Sequence, residues 1–342
     1  MSNYFPAQAK VTPSFSEPEM IITYAQPSGF LATFADGKPR TKIGSDDLYV
    51  YINKLDIRSA AAASQASFNE LPSATLSATY YSTQTYLVRT RAIYDHHDTA
   101  AAGNYGVSLP KAQELAGRQG IFQQMRSGAL YGFNAANGEG LMNSAGATQV
   151  TLPPDSYGND TVSTYDNGEM AQWLLGQFVQ IKQAMYQSDK AVSNKLVILC
   201  PQRVGLQWGY ADIVQVVAFQ RPGAGTATVG EVLEAQARTN GDTVEIWYDD
   251  TLEGKGAGGT DAVILTIPEI EKPSISGINT NVFADLEPSL NAVNLLYTDM
   301  AAPRKIVTPT PDGGITEVQE LRMSSGWNVR PEGLFILNLQ YQ

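Results

Sequence analysis

Cysteine, histidine and charge are all scarce in this 342-residue sequence. Cys200 is the one cysteine, so no disulfide can close within the chain, which fits a reducing compartment. Leu196, Val197, Ile198 and Leu199 precede it as an unbroken apolar run. Cys200 therefore reads as a small core residue on a buried strand. His96 and His97 are the two histidines. Neighbouring strand residues point to opposite faces, and no cysteine or further histidine completes a ligand set, so His96-His97-Asp98 reads as a polar hairpin end. Charged residues make up 17% of the chain and hydrophobic ones 43%, a globular balance in which much of the surface is expected to meet other protein. The net charge is −11, with no cluster of Lys and Arg, and a nucleic-acid binder needs a basic stripe. No apolar run approaches the roughly 18 residues of a membrane span. The opening MSNYFPAQAKVTPSF has no basic start leading into an apolar run, so it does not read as a signal peptide. There is no G-x-S-x-G elbow of the common hydrolases.

Two other stretches invite a chemical reading. Gly254-Lys255-Gly256-Ala257-Gly258-Gly259-Thr260 has the composition of a phosphate loop. That motif places its Lys last, directly before Ser or Thr at a helix start. Here Gly256 follows Lys255, and the stretch reads instead as the tip of a hairpin joining strands Thr243 to Tyr248 and Ala262 to Ile267. Asp249, Asp250, Glu253 and Asp261 crowd the same place. Such oxygen ligands suit a hard cation, but the simpler reading is a solvated acidic loop. No catalytic residue, cofactor site or metal site emerges.

What is present is a strong element at Ser108 to Phe133, SLPKAQELAGRQGIFQQMRSGALYGF. Ser108 suits an N-cap and Pro110 the first turn. Ala112, Leu115, Ala116, Phe122, Met125 and Ala129 recur at helical spacing. Gly117 and Gly120 weaken this helix by roughly 1 kcal/mol each, so packing must hold it or bring something close to its backbone. Before it, Ser73 to Tyr81 and Thr85 to Tyr94 are β-prone, with Ser82, Thr83 and Gln84 between them as a turn. This predicts a long hairpin within 68–98. Its second strand puts Tyr86, Val88, Thr90, Ala92 and Tyr94 on one face and Leu87, Arg89, Arg91 and Ile93 on the other. Neither face is apolar enough for a core, and a lone hairpin is marginal in water. Tyr86, Arg89, Arg91 and Tyr94 are therefore the candidate inter-subunit contacts. Residues 1 to about 47 carry Pro6, Pro13, Pro18, Pro27 and Pro39 without sustained periodicity and read as an extended arm or disordered tail. Within them Met20 to Tyr24 is a β-prone patch. Leu48 to Ile57 alternates as a strand, and Ser59 to Ser67 is a short helix or loop.

Asn134 to Gly146 reads as a flexible loop. Gly168 to Asp189 predicts a second strong helix, with Met170, Trp173, Leu174, Phe178, Ile181, Ala184 and Met185 as its stripe. Lys195 to Cys200 is a strand, Ile213 to Phe219 a strand or helix, and Thr228 to Arg238 a short helix. Strands are expected near Leu290 to Tyr297, Lys305 to Thr308, Thr316 to Met323 and Leu334 to Tyr341. The length allows two compact units.

This order of pieces, with YGVSLPKAQELAGRQGIF, GEGLMNSAG, WYDDTLEGKGAGGTDAVILTIPE and RMSSGWNVRPEGLFIL, resembles the major capsid proteins of tailed phages with the Hong Kong 97-like fold. It is similar in particular to the phage capsid family formerly catalogued as a domain of unknown function. The resemblance implies an α+β architecture. Residues 1–67 would be an N-terminal arm, 68–98 an extended loop, and 99–149 a peripheral domain built on the spine helix 108–133. Most of 150–275 would be an axial domain, and 276–342 would return to the peripheral domain. It implies a non-enzymatic protein that assembles with itself, as hexamers and pentamers, into an icosahedral shell around double-stranded DNA. That shell would be a virion capsid put together in the host cytoplasm. Separate scaffolding, portal and decoration proteins are possible partners. DNA contact would be weak and non-specific, and no membrane is involved. No charged scaffolding segment is visible near the N-terminus, and no residue pair for covalent cross-linking stands out in the hairpin. Two alternatives stay open: an encapsulin-like nanocompartment shell, and a carbohydrate-binding or carbohydrate-acting protein using Asp249 to Asp261.

Overall fold

A computed structural model of the chain describes residues 28–39, 42–58, 75–103, 108–185, 194–210, 228–269, 294–300 and 302–342. Met20 to Tyr24, Ser59 to Ser67 and Ile213 to Phe219 lie outside them. The elements in order are β1 (Tyr49–Arg58), β2 (Thr75–Tyr94), α1 (His96–Gly103), α2 (Leu109–Tyr131), β3 (Thr148–Thr151), α3 (Asn167–Ala184), β4 (Lys195–Cys200) and α4 (Gln202–Tyr210). They continue with α5 (Val229–Thr239), β5 (Thr243–Tyr248), β6 (Asp261–Thr266), β7 (Leu295–Leu296), β8 (Arg304–Pro309), β9 (Ile315–Ser324), β10 (Trp327–Asn328) and β11 (Leu334–Leu339). The α+β class expected from the sequence is what forms.

A five-stranded sheet runs in the order β3-β11-β6-β4-β5. Its central strands are apolar on both faces because both faces are covered. On one side Met170, Leu174, Phe178 and Ile181 of α3, Val204 and Trp208 of α4 and Leu233 of α5 pack on Leu196, Ile198, Val263, Leu265 and Leu337. The helices start where their caps say. Asp166 accepts the Glu169 N–H at 2.9 Å, and Thr228 and Glu231 form a reciprocal capping box. On the other side Leu199, Ala262, Ile264, Leu334 and Ile336 meet Ala129 and Leu130 of α2, with Phe30, Phe34 and Leu141. Cys200 is buried on its strand, as read from the sequence.

A four-stranded sheet runs in the order β1-β2-β9-β8. Along β2 the N-terminal half pairs with β1, from Tyr49↔Gln84 to Arg58↔Thr75, and the C-terminal half with β9, from Thr85↔Ser324 to Tyr94↔Ile315. α2 lies across this sheet. Ile121 is 2% exposed and packs on Val88, Leu321 and Met323. The glycines permit close approach: a Cβ on Gly117 would stand 3.0 Å from the Gln319 side-chain amide, and one on Gly120 3.4 Å from Thr90. α2 thus rests on one sheet through Ile121 and on the other through Ala129 and Leu130. That is how a helix with two weakening glycines is held.

Several expectations fail. No turn occurs at Ser82 to Gln84. β2 is one 20-residue strand, because Ser-Thr-Gln brings none of the Gly, Asn or Asp that a tight reversal needs and its backbone is committed to two ladders. The hairpin-like pair is β1 with the first half of β2. The face of β2 carrying Val88 and Tyr94 is a core face, since α2 covers it. On α2 itself Ala112, Leu115 and Ala116 are exposed, and the buried set is Leu109, Ile121, Gly128, Ala129 and Leu130. The second half of the expected stripe holds, with Ala129 buried and Phe122 and Met125 packed against the core, while the first half faces outward and the helix meets the four-stranded sheet through Gly117, Gly120 and Ile121.

The polar segment before β1 is not wholly an arm. Phe30–Thr33 and Ala35–Gly37 are 3-10 turns, with Phe30 and Phe34 fully inside the core. Asn134 to Gly146 is anchored by buried Leu141. There Gly132 (φ 75°) and Gly140 (φ 87°) let the chain fold back on the end of α2, since a Cβ on either would fall 2.3 Å from a backbone atom. β5 and β6 are not a hairpin, for β4 lies between them. His96 and His97 begin α1 and are not at a strand end. Near Leu290 to Tyr297, only Leu295–Leu296 is a strand among the described residues. β11 lies in the five-stranded sheet beside β6 and β3, so the last part of the chain rejoins the sheet built by its middle.

Candidate assembly interface

The four residues singled out on β2 have different surroundings. Tyr94 is buried with Ala102 and Leu109. Tyr86 stacks on Phe133 with ring centroids 4.8 Å apart, and its hydroxyl donates to Glu139 Oε1 at 2.9 Å. Burial first, then the Glu139 carboxylate, pushes its hydroxyl up to about 12. Glu139 also accepts from the Ser325 hydroxyl at 2.9 Å and the Asn134 N–H at 3.2 Å. Arg89 Nε donates to Glu320 Oε2 at 3.2 Å, while most of its side chain stays in solvent. Arg91 is exposed. Both tyrosines and Arg89 therefore have partners within the chain.

The acidic stretch is solvated only in part: Glu253 is exposed, but Asp249 and Asp261 are buried. Asp261 is 1% exposed and accepts from Arg203 Nε at 2.7 Å, from Arg203 Nη2 and from the Gly254 N–H at 3.0 Å. Asp249, equally buried, accepts from the Ser28 hydroxyl and the Thr251 N–H. These carboxylates fasten the glycine-rich loop and the segment leading to Phe30. Burial raises the Cys200 thiol far above its ordinary value, which leaves it unreactive. Among the described residues no group of three or more His, Cys, Asp or Glu side chains is placed to hold a metal ion. Nor is any helix among them long and apolar enough to cross a membrane.

The unusual surface lies where sequence reasoning did not place it. On the ribbon of β1 and β2, Tyr49, Tyr51 and Tyr80 are 51%, 64% and 72% exposed. Tyr51 pairs with Ser82 and Asn53 with Tyr80, so alternation puts all three rings on one face. Centroids are 6.5 Å apart for Tyr49 and Tyr51 and 6.3 Å for Tyr51 and Tyr80. The even-numbered residues of β2 that include Tyr80 go on to Tyr86, covered by Phe133 just past α2, and to Val88, covered by Ile121 of α2. The ribbon therefore prolongs a core-type face beyond the residues that bury it. The only sequence signal was Tyr-Val-Tyr at 49–51 and Tyr-Tyr at 80–81, and the register uniting them is not readable locally.

No protein-family model matches the sequence, and no curated protein matches it. Solved structures do. The capsid of Myoviridae phage XM1 matches over 96% of this chain and 97% of its own, with a TM-score of 0.68 at 12% identity. A chain from Mycobacterium phage Bobi matches over 97% of each, with a TM-score of 0.60 at 9% identity. One from Gordonia phage Cozz covers 97% of this chain and 92% of its own, at 0.55 and 13%. At such identities the likeness establishes the fold. The chain has the α+β fold of the phage XM1 capsid chain along nearly its whole length.

Proposed function

We propose that this chain is the major capsid protein of a tailed phage, a structural rather than catalytic protein that assembles with itself into an icosahedral shell enclosing double-stranded DNA. The observation that carries this is the whole-length match to the XM1 capsid. The tyrosine face of the ribbon supports it, because a two-stranded ribbon with large rings in water is a surface awaiting a partner. In this reading α2 and the four-stranded sheet form the peripheral part, and the ribbon of β1 and β2 is the extended loop. The five-stranded sheet with α3, α4 and α5 forms the axial part of hexamers and pentamers. Tyr49, Tyr51 and Tyr80 join Arg89 and Arg91 as inter-subunit contacts. Scaffolding, portal and decoration proteins are the expected partners, the host cytoplasm the place of assembly and the virion the destination. With a net charge of −11, contact with packaged DNA is weak and non-specific.

The test is sedimentation and negative-stain microscopy of the purified chain, alone and with a co-expressed scaffold. Regular shells are expected. Replacing Tyr49, Tyr51 and Tyr80 together by Ser should leave the circular dichroism unchanged and abolish shells. A chain that stays monomeric under all conditions would overturn the proposal, and shells holding protein cargo without DNA would redirect it to a nanocompartment.

A further inference from the structure

The face of the four-stranded sheet turned away from α2 gathers a charge that the sequence disperses. Alternation puts Leu87, Arg89, Arg91 and Ile93 of β2 on it. Register adds Arg322, Glu320 and Val318 of β9, opposite Leu87, Arg89 and Arg91, and then Arg304 and Ile306 of β8, opposite Glu320 and Val318. Arg89 and Arg304 flank β9 about 10 Å apart, and Arg91 follows Arg89 after about 7 Å along β2. Glu320 is the one carboxylate that register brings to this face among the described residues of β2, β8 and β9. It lies 3.2 Å from Arg89 and 3.7 Å from Arg304. Its side chain is 7% exposed, while theirs are 60% and 57% exposed. Arg322 Nη1 donates to the Thr85 hydroxyl at 3.1 Å. Arg91 is exposed. It borders the cleft at the end of the sheet where Asp95, Asp98 and Asp312 lie, and forms no ion pair with them. Four guanidinium groups thus stand against one carboxylate.

Aliphatic groups lie among these arginines. Ile93 is 54% exposed, and Leu87, Ile306 and Val318 are half-buried. Arginine set among aliphatic groups suits a protein interface, whose core is apolar and in which arginine is enriched. A phosphate backbone would leave the aliphatic groups without a partner, and a net charge of −11 opposes long contact with DNA. The complementary surface is present on every other copy, because setting these arginines aside leaves the rest of the chain more acidic still. The face cannot meet its own image, for that sets arginine against arginine. The contact it makes is therefore heterologous, of the kind that generates rings when the rotation closes.

We infer that this arginine face binds an acidic surface of a second copy of the chain in a heterologous contact. The inference rests on the reading that the chain assembles with itself, and adds to it the charge and the symmetry of one interface. Sedimentation of the full chain beside two variants tests it. Arg91→Glu reverses a charge that has no ion-pair partner among the described residues. The triple variant Arg89→Gln, Arg304→Gln and Glu320→Gln removes two bases together with the carboxylate they would leave stranded, so that folding is spared. Both should keep the circular dichroism of the parent chain and lower the assembled fraction at least about tenfold, as loss of complementary charge requires. Arg91→Lys, which keeps the charge, should assemble, and carbodiimide should couple the introduced amine to a carboxylate of another copy. Mixing isotope-labelled with unlabelled chains before mass spectrometry separates such links from those within one chain. If the parent chain never associates, the self-assembly reading falls and this inference with it. If the parent associates and both variants associate as well, this inference alone is overturned. Coupling confined to single chains overturns it too, and so does normal assembly with lost retention of DNA on filters, which would make the face a phosphate-binding surface.

Discussion

Ile121→Ala should destabilise the chain more than Phe122→Ala, although phenylalanine is the larger side chain. Ile121 is 2% exposed and is the apolar plug between α2 and the sheet at Val88, Leu321 and Met323. Truncation removes three carbons, worth about 2.5 kcal/mol at ~0.8 kcal/mol per methylene. The β2–β9 ladder is fixed by its register, and the backbone of α2 already lies close against Gln319 at Gly117, so little further collapse can fill the hole. A cavity term then brings the cost to about 3–4 kcal/mol. Phe122 is only half-buried, against the second core and the Phe30 ring 5.4 Å away. A fully buried Phe→Ala costs about 3–5 kcal/mol, so half burial puts this one near 1.5–2.5 kcal/mol. Urea unfolding of dispersed chains followed by tryptophan fluorescence measures both, with the same slope expected for each variant. If Phe122→Ala proves the costlier, α2 packs on its Ala112-Leu115-Phe122 stripe, and the helix-to-sheet contact described above is wrong.

The Arg203–Asp261 pair should break asymmetrically. Arg203→Met strands a buried carboxylate and is expected to cost about 3–5 kcal/mol, whereas Asp261→Asn leaves a guanidinium whose side chain is 38% exposed and can rehydrate. Equal urea midpoints for the two variants would refute this. Tyr86 makes stability fall at alkaline pH. Its folded value near 12 lies above the ordinary 10, so between those values the unfolded chain loses a proton that the folded chain keeps. The contribution is fully present below pH 10 and is lost as pH rises towards 12. Tyr86→Phe should flatten that fall, and an unchanged slope of melting temperature against pH would count against the Glu139 contact.

How much of this was legible depends on how far away each decision is made. The helices α3 and α5 could be read because cap and stripe lie within one segment: Asp166 with Met170, Leu174 and Phe178, and Thr228 with Glu231. The strands β4 and β11 could be read because burial on both faces leaves a continuous apolar run. The course of β2 could not. Whether Ser82 to Gln84 turns or continues is decided by ladders to Tyr49–Gln84 on one side and Thr85–Ser324 on the other, the second more than 200 residues away. The side of α2 that meets the sheet was hidden for a related reason. Periodicity counts methyl groups, but the backbone approached where there were none, at Gly117 and Gly120. Phe30 and Phe34, two rings in a polar segment, gave no periodic signal at all. The tyrosine ribbon combines these difficulties. Tyr80 and Tyr86 belong to one face of one strand, and their side chains alone predict the same environment for both. They differ because Phe133 and Glu139, on the chain just past α2, cover Tyr86 and do not extend to Tyr80. The proposed assembly surface is thus the part of a core face that the described residues of its own chain do not cover. It becomes visible only when the length and placement of the covering segment are known.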